Sequence, residues 1–286
     1  MKKHLTRAFS LLEISLVIVI IGILIAGIST GVDLFYDSKL ATAQSLTKGA
    51  PVTRIEGLFT WIETTSPESF TTMPKYDESV GLIKDLGFKM DKVNFVQTGN
   101  NNLKPIYKPR NLNDLPALYF DGSNDFLVSE KSYTSSIFSN SQVTIFMVIK
   151  YVGANNITAV FLKHEFSSYR TGLEINNGIV RFDFPTVNKL VMGTSSVINK
   201  NIIITAIANN INQKLYINSV VPVSIANTNT IPTSSSAPIY LGANDGSGGL
   251  PTKFNFGELI IYDRALIDRE INLITAYLSK KWGIKI

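Results

Sequence analysis

The pattern of apolar and polar positions divides the chain into three unlike parts. Residues 9–28 read FSLLEISLVIVIIGILIAGI, twenty positions with a single charge, Glu13. As an α-helix rising about 1.5 Å per residue, this run is about 30 Å long, the thickness of a bilayer core. Past it the apolar positions thin to a spacing of three to four: Val32, Tyr36, Leu40, Ala43 and Leu46, with Asp33, Asp37, Lys39 and Gln44 between them. That spacing predicts an amphipathic continuation of the helix over 29–50, stopped by Gly49 and Pro51. From about Thr53 the pattern changes to short apolar runs separated by Asn, Gly, Pro and Ser, which predict strands. The candidates are 117–120, Val143–Tyr151, 159–162, 172–175, 179–184, 202–208, 214–217, Ile239–Leu241 and 254–262. Asn176-Asn177-Gly178 reads as a hairpin turn, and 227–238 (NTNTIPTSSSAP) as a polar surface loop. Many strands and turns without intervening helices predict a mainly-β sandwich or jelly roll over 51–286. The chain closes on a different period: Ile271, Ile274, Leu278 and Trp282 share one helical face, with Asp268 and Glu270 early, Lys280 and Lys281 late, and Gly283 as the stop.

Composition narrows the functional classes. Apolar residues make up 45% and charged residues 17%, enough for a large buried core. No cysteine is present, which excludes disulfides, thiolate-bound zinc and thiol catalysis. The two histidines, His4 and His164, are too few for a metal cluster or a catalytic triad. Part of the formal +5 charge comes from Lys2, Lys3 and Arg7, leaving no basic face suited to nucleic acid. Those three cations precede the apolar run, so they are expected to stay cytoplasmic and the remainder to lie outside the cytoplasm. Within the run, a carboxylate costs roughly 2.5–3.5 kcal/mol to insert, so Glu13 calls for a partner.

Taken together, the residues RAFSLLEISLVIVIIGILIAG resemble the N-terminal processing motif of type IV pilins and type II secretion pseudopilins. The resemblance covers about 22 residues. It implies a leader over 1–8, cleavage between Ala8 and Phe9 by a prepilin peptidase that also N-methylates Phe9, and a transmembrane segment over 9–28. Glu13 then becomes the fifth mature residue, with an assembly role: pairing with the new amine of a neighbouring pilin or pseudopilin subunit. Ala8 departs from the glycine the family prefers before the cut. Gly22, Ala26, Gly27 and Gly31 would allow close helix approach. The implied course is a single-pass inner-membrane precursor with its head outside the cytoplasm, later built into a pilus or pseudopilus. An uncleaved, membrane-anchored lectin-like protein is the alternative.

A second resemblance lies in the head. PALYFDGSNDFL (116–127), KLYINS (214–219) and GELIIYDRALIDREINLITAYLSKKWGI (257–284) are similar to the laminin G-like, concanavalin A-like jelly-roll family, with Ser219 where a glycine is usual. Weaker similarity in LFTWIETTSPESF (58–70) suggests that the sandwich begins there. The family implies a binding head, for a glycan or a surface protein. Glycosidases on such a fold align carboxylates along one strand, and no E-x-D-x-x-E arrangement occurs here. Glu258 and Asp263 fall on opposite faces of a regular strand, and Asp263 is expected to help start the last helix. No catalytic residue and no cofactor is therefore expected, with Ca²⁺ the one candidate ion. Asp121, Asn124 and Asp125 are the candidate calcium or ligand residues; the competing reading has them bond their own turn. The loop of Asn244, Asp245, Gly246 and Gly248 carries the same two readings. Phe166, Tyr169 and Arg170 could stack on a sugar or simply pack.

Overall fold

The computed structural model describes residues 10–134, 142–153, 158–166, 169–184, 190–219, 221–226 and 236–286. It begins with one long helix, Leu11–Lys48 (α1). At about 1.5 Å per residue, its 38 residues extend about 57 Å. The Ser10 hydroxyl accepts from the amides of Leu12 and Glu13, and Gly49 closes the other end. Up to Phe35, the apolar side chains of α1 whose burial is described stand exposed. From Tyr36 onward the predicted face turns inward: Ala43 and Thr47 are buried, and Leu46 packs beside them.

The head is a sandwich of two antiparallel sheets. One runs Val223–Ala226, Asn212–Ile217, Asn201–Ala208, Val143–Tyr151, Lys253–Tyr262, Leu115–Asp121, Ile106–Leu112, with Leu58–Glu63 paired to the second half of Lys253–Tyr262. The other runs Leu190–Met192, Ile179–Asp183, Tyr169–Asn176, Thr158–Phe166, Ile239–Leu241, Leu127–Ser129, Phe95–Val96, Leu82–Ile83. The hairpin turn falls where expected, with Asn177 and Gly178 both at positive φ. The polar stretch 227–238 lies mostly outside the described residues.

The first sheet is covered on both faces, which explains its near-continuous apolar strands. In Val143–Tyr151, Val143, Ile145, Met147, Ile149 and Tyr151 face the second sheet, while Phe146 and Val148 face the helices. That outer layer consists of α1 and the terminal helix Asp268–Trp282 (α2), which ends on Gly283 in the left-handed region. Ile271, Ile274, Leu278 and Trp282 form its buried face, as the sequence period indicates. Its start differs from expectation. Asp263 is not the cap: its amide bonds Gly57, and the Glu270 carboxylate accepts from the Ile267 amide at 3.1 Å while pairing with Arg264.

Candidate functional site

Two regions carry the chemistry singled out above: the apolar rod of α1, and the head with its attachment to that rod. Ala8 and Phe9 lie outside the described residues. Glu13 occupies the first turn of α1, where its carboxylate accepts from the Ser10 amide at 2.8 Å. Ser10 and Glu13 thus satisfy each other's backbone amides, and the carboxylate sits at the positive end of the helix dipole. Among the described residues, and apart from the helix's own adjacent backbone, no atom lies within 4 Å of a Cβ placed on Gly22, Gly27 or Gly31, so these positions leave the helix surface open to a neighbour.

A hairpin clasps the stem to the head. Asn113 and Asp114, both at positive φ, turn the chain between Ile106–Leu112 and Leu115–Asp121. Asp114 pairs with Lys39 at 3.0 Å. Arg110, held at φ 58 by a bulge in the same hairpin, pairs with Asp33 at 2.8 Å and lies 3.6 Å above the Tyr36 ring. The Asn113 amide reaches the carbonyls of Trp282 and Gly283, tying the same turn to the end of α2.

Deeper in the seam, a polar cluster joins α1, the paired strands Leu58–Glu63 and Lys253–Tyr262, and α2. A bulge at Gly257 places Gly257 and Glu258 toward the helices; a Cβ on Gly257 would sit 2.7 Å from the Trp282 ring. Glu258 is fully buried and accepts from the Trp61 and Trp282 indoles, the Tyr277 hydroxyl and Lys281, all at 2.7–2.9 Å. Its cross-strand partner Glu63 accepts from Thr47 of α1 and from Thr65, and lies 3.1 Å from the Lys281 ammonium. Burial, reinforced by the nearby carboxylates Glu258 and Glu63, holds the Tyr277 phenol well above its usual pKa. Glu258, considered above only as half of a carboxylate pair, is the hub of this cluster. The signal for it was the period of α2, which sets Lys281 beside Leu278 and Trp282 on the apolar face.

The polar loops of the head bond to themselves. Asp125 accepts from the Asp121 amide at 2.9 Å, and Asp121 from the Ser123 amide at 2.7 Å. Burial pushes the Asp125 carboxyl up to about 6. Asn124 lies against Gly248 of the second loop, so the two loops adjoin. There Asp245 accepts from the Ser247 amide and hydroxyl, and those bonds pull its carboxyl down to about 2. Lys163 donates to Asn244. Among the described residues, no group of three His, Asp or Glu side chains is placed to hold a metal ion. The side chains of His164, Phe166, Tyr169 and Arg170 lie outside the described residues. In KLYINS the left-handed turn position falls on Asn218, at φ 46, rather than on Ser219. Asn218 helps line a cleft of about 270 Å³ with Thr194, Ser196, Lys200, Ile202 and Val221.

No protein-family model matches the chain, and no curated protein matches it. Solved structures do. A Trypanosoma rangeli sialidase in complex with 2,3-difluorosialic acid aligns over 89% of this chain and 39% of its own, with 13% identity and a TM-score of 0.54. The binding domain of Paraclostridial Mosquitocidal Protein 1 aligns over 80% and 55%, with 16% identity and a TM-score of 0.54. The binding domain of botulinum neurotoxin DC in complex with SialylT aligns over 78% and 51%, with 14% identity and a TM-score of 0.53. This chain therefore spans from about a third to just over half of the solved chains it resembles. At these identities the likeness is one of fold, an antiparallel β-sandwich.

Proposed function

We propose that the chain is a minor subunit of a type IV pilus or type II secretion pseudopilus, displaying a lectin-like jelly-roll head. The observation that carries this reading is the form of α1. An exposed apolar rod with a lone carboxylate in its first turn runs unbroken into a stem clasped by the head. Such a rod suits both states of a filament subunit, first spanning the inner membrane and then packing against neighbouring helices. Cleavage between Ala8 and Phe9 by a prepilin peptidase would leave a cationic amine near Glu13 of a neighbour. In a low-dielectric bundle that pairing would set axial register, because sliding would strand both charges.

For the head, the sandwich fold is shared with proteins described as binding domains and with sialidases, which supports a glycan as the ligand class. No catalysis is assigned to the head. Mass spectrometry of the mature N-terminus tests the reading: a chain starting at N-methylated Phe9 supports it. An intact Met1 would replace it with the second reading, an uncleaved inner-membrane anchor carrying the same head. A glycan array probed with the detergent-solubilised chain tests the ligand class.

A further inference from the structure

The cluster around Lys281 holds a primary amine against two carboxyl groups, with all three side chains withdrawn from solvent. The Lys281 nitrogen lies 2.9 Å from Glu258 Oε2, 3.1 Å from Glu63 Oε2 and 3.3 Å from the Tyr277 hydroxyl. The two carboxylates are unlike. Glu258 has donors on both oxygens, Trp61 and Tyr277 on Oε1, and Trp282 and Lys281 on Oε2. On Glu63 the Thr65 amide and hydroxyl both donate to Oε2, while Oε1 accepts from the Thr47 hydroxyl at 3.3 Å. Paired donors on one oxygen, one of them a backbone amide, suit an oxygen on which negative charge develops.

Three charged groups buried together are costly, and this cluster carries two negative charges against one positive. A reaction that consumes one ammonium and one carboxylate removes two of the three. Contact distance and fixed orientation supply the effective concentration for it.

We propose that Lys281 and Glu63 condense to an intramolecular amide, with Glu258 as the proton acceptor. Lys281 passes one proton to Glu258, which lies within transfer distance, and the free amine attacks Glu63 Cδ. Negative charge gathers on Glu63 Oε2, against the Thr65 amide and hydroxyl. A second proton from the nitrogen and the one held by Glu258 then go to Oε1, which leaves as water. Of the three ammonium hydrogens, one stays on the amide and two depart in that water, so no cofactor or co-reactant is needed. Glu258 ends as a carboxylate that keeps Trp61, Trp282 and Tyr277 and gains the new amide N–H. The ion pair is the freshly folded form, and the amide is the form it matures into. The link joins the strand Leu58–Glu63 to the end of α2 and closes most of the head into a covalent ring, in a chain without cysteine.

Mass spectrometry of the full chain, solubilised in detergent and held at neutral pH for a week, tests this. The intact mass should fall about 18 Da below that of the sequence, whichever N-terminus the chain carries. Trypsin should release a branched peptide joining 55–75 to 281–285, because an acylated Lys281 is no longer cut. Lys281→Arg keeps the cation but cannot form the amide, and should show the full mass. Glu258→Gln, with β circular dichroism retained, should link about a hundredfold more slowly. The full mass in the parent chain, with 282–285 released as a free peptide, would overturn the proposal whether or not either variant folds. A persisting deficit in Lys281→Arg would overturn it by placing the water loss elsewhere. A branch to 254–264 would overturn it by making Glu258 the acylated group, and undiminished linking in Glu258→Gln would remove Glu258 from the reaction.

Discussion

Lys281 and Glu258 form an ion pair of 2.9 Å with both side chains withdrawn from solvent, and the carboxylate of Glu63 approaches the same ammonium at 3.1 Å. One cation thus serves two carboxylates where stem, sheet and terminal helix meet. Removing charges from water is costly, and the two indoles, the phenol and the hydroxyls of Thr47 and Thr65 offset that cost by donating to these oxygens. The cluster fixes how the stem leaves the head, because its members come from each element of the seam.

Lys281→Met should therefore destabilise the head by about 3–5 kcal/mol, since it leaves two buried carboxylates facing each other. Urea unfolding of the detergent-solubilised chain, followed by tryptophan fluorescence, would measure it. Adding Glu63→Gln and Glu258→Gln to Lys281→Met should recover much of the loss. A triple variant no more stable than the single one would show that the charges are not the cause.

The stem is part of the folded head as well as its support. Ala43 lies in the same buried cluster as Val52, Trp61 and Trp282, with Leu46 against it. A fragment beginning near Ala50, at the boundary that the sequence pattern suggests, should lose about 2–4 kcal/mol relative to one beginning near Asp33, from lost burial and from the bonds of Gln44 and Thr47. Thermal unfolding of the two fragments would compare them directly. Equal midpoints would mean that the helix end contributes nothing to the core.

Much of this architecture was legible in the sequence. Val143–Tyr151 and Ile239–Leu241 match the expected strands residue for residue, and Gly49 and Gly283 stop the two helices where the period fails. Leu58–Glu63 was not read as a strand because all six of its residues are buried, so no alternation marks it. Ile106–Leu112 was hidden by Pro109 and its polar residues, which suit an edge. Leu82–Ile83 and Phe95–Val96 are two residues each, too short to show any period. The buried cluster stayed hidden for another reason. Lys281 reads as a charge favouring a helix end, and only its spacing from Ile274 and Leu278 reveals that it points inward while Lys280 stays outside.

Asp125 should make stability depend on pH in a definite sense. Burial raises its carboxyl to about 6 in the folded chain, above the ordinary value of 3.8. The folded state therefore holds the proton more tightly than the unfolded state does. The resulting stabilisation is complete below about pH 4 and is lost as the pH rises through 6. Asp125→Asn keeps an acceptor for the Asp121 amide while removing the titration. It should flatten the profile between pH 4 and 7 and gain on the order of 1–2 kcal/mol at neutral pH. Asp245, lowered to about 2 by its bonds to Ser247, acts in the opposite sense and only below about pH 4. Unfolding midpoints of Asp125→Asn and the parent chain across this range would check it, and parallel profiles would count against it.

Glu13 has two candidate duties that a pair of substitutions can separate. Within the chain, its carboxylate accepts from the Ser10 amide at 2.8 Å and so helps to start α1. In the proposed filament it would neutralise the N-terminal amine of a neighbouring subunit. A glutamine can still accept the Ser10 hydrogen bond but carries no charge, whereas an alanine can do neither. If charge pairing governs assembly, Glu13→Gln and Glu13→Ala should impair incorporation into sheared filaments to the same degree. If helix initiation governs it, Glu13→Gln should behave as the parent chain, and only Glu13→Ala should fail, by the roughly 0.5–2 kcal/mol that a lost cap costs. Membrane insertion should be unimpaired or easier in both variants, because removing a carboxylate from the apolar run lowers its transfer cost. Quantitative immunoblots of the filament and membrane fractions read both outcomes at once. Normal incorporation of Glu13→Ala would remove this residue from assembly altogether.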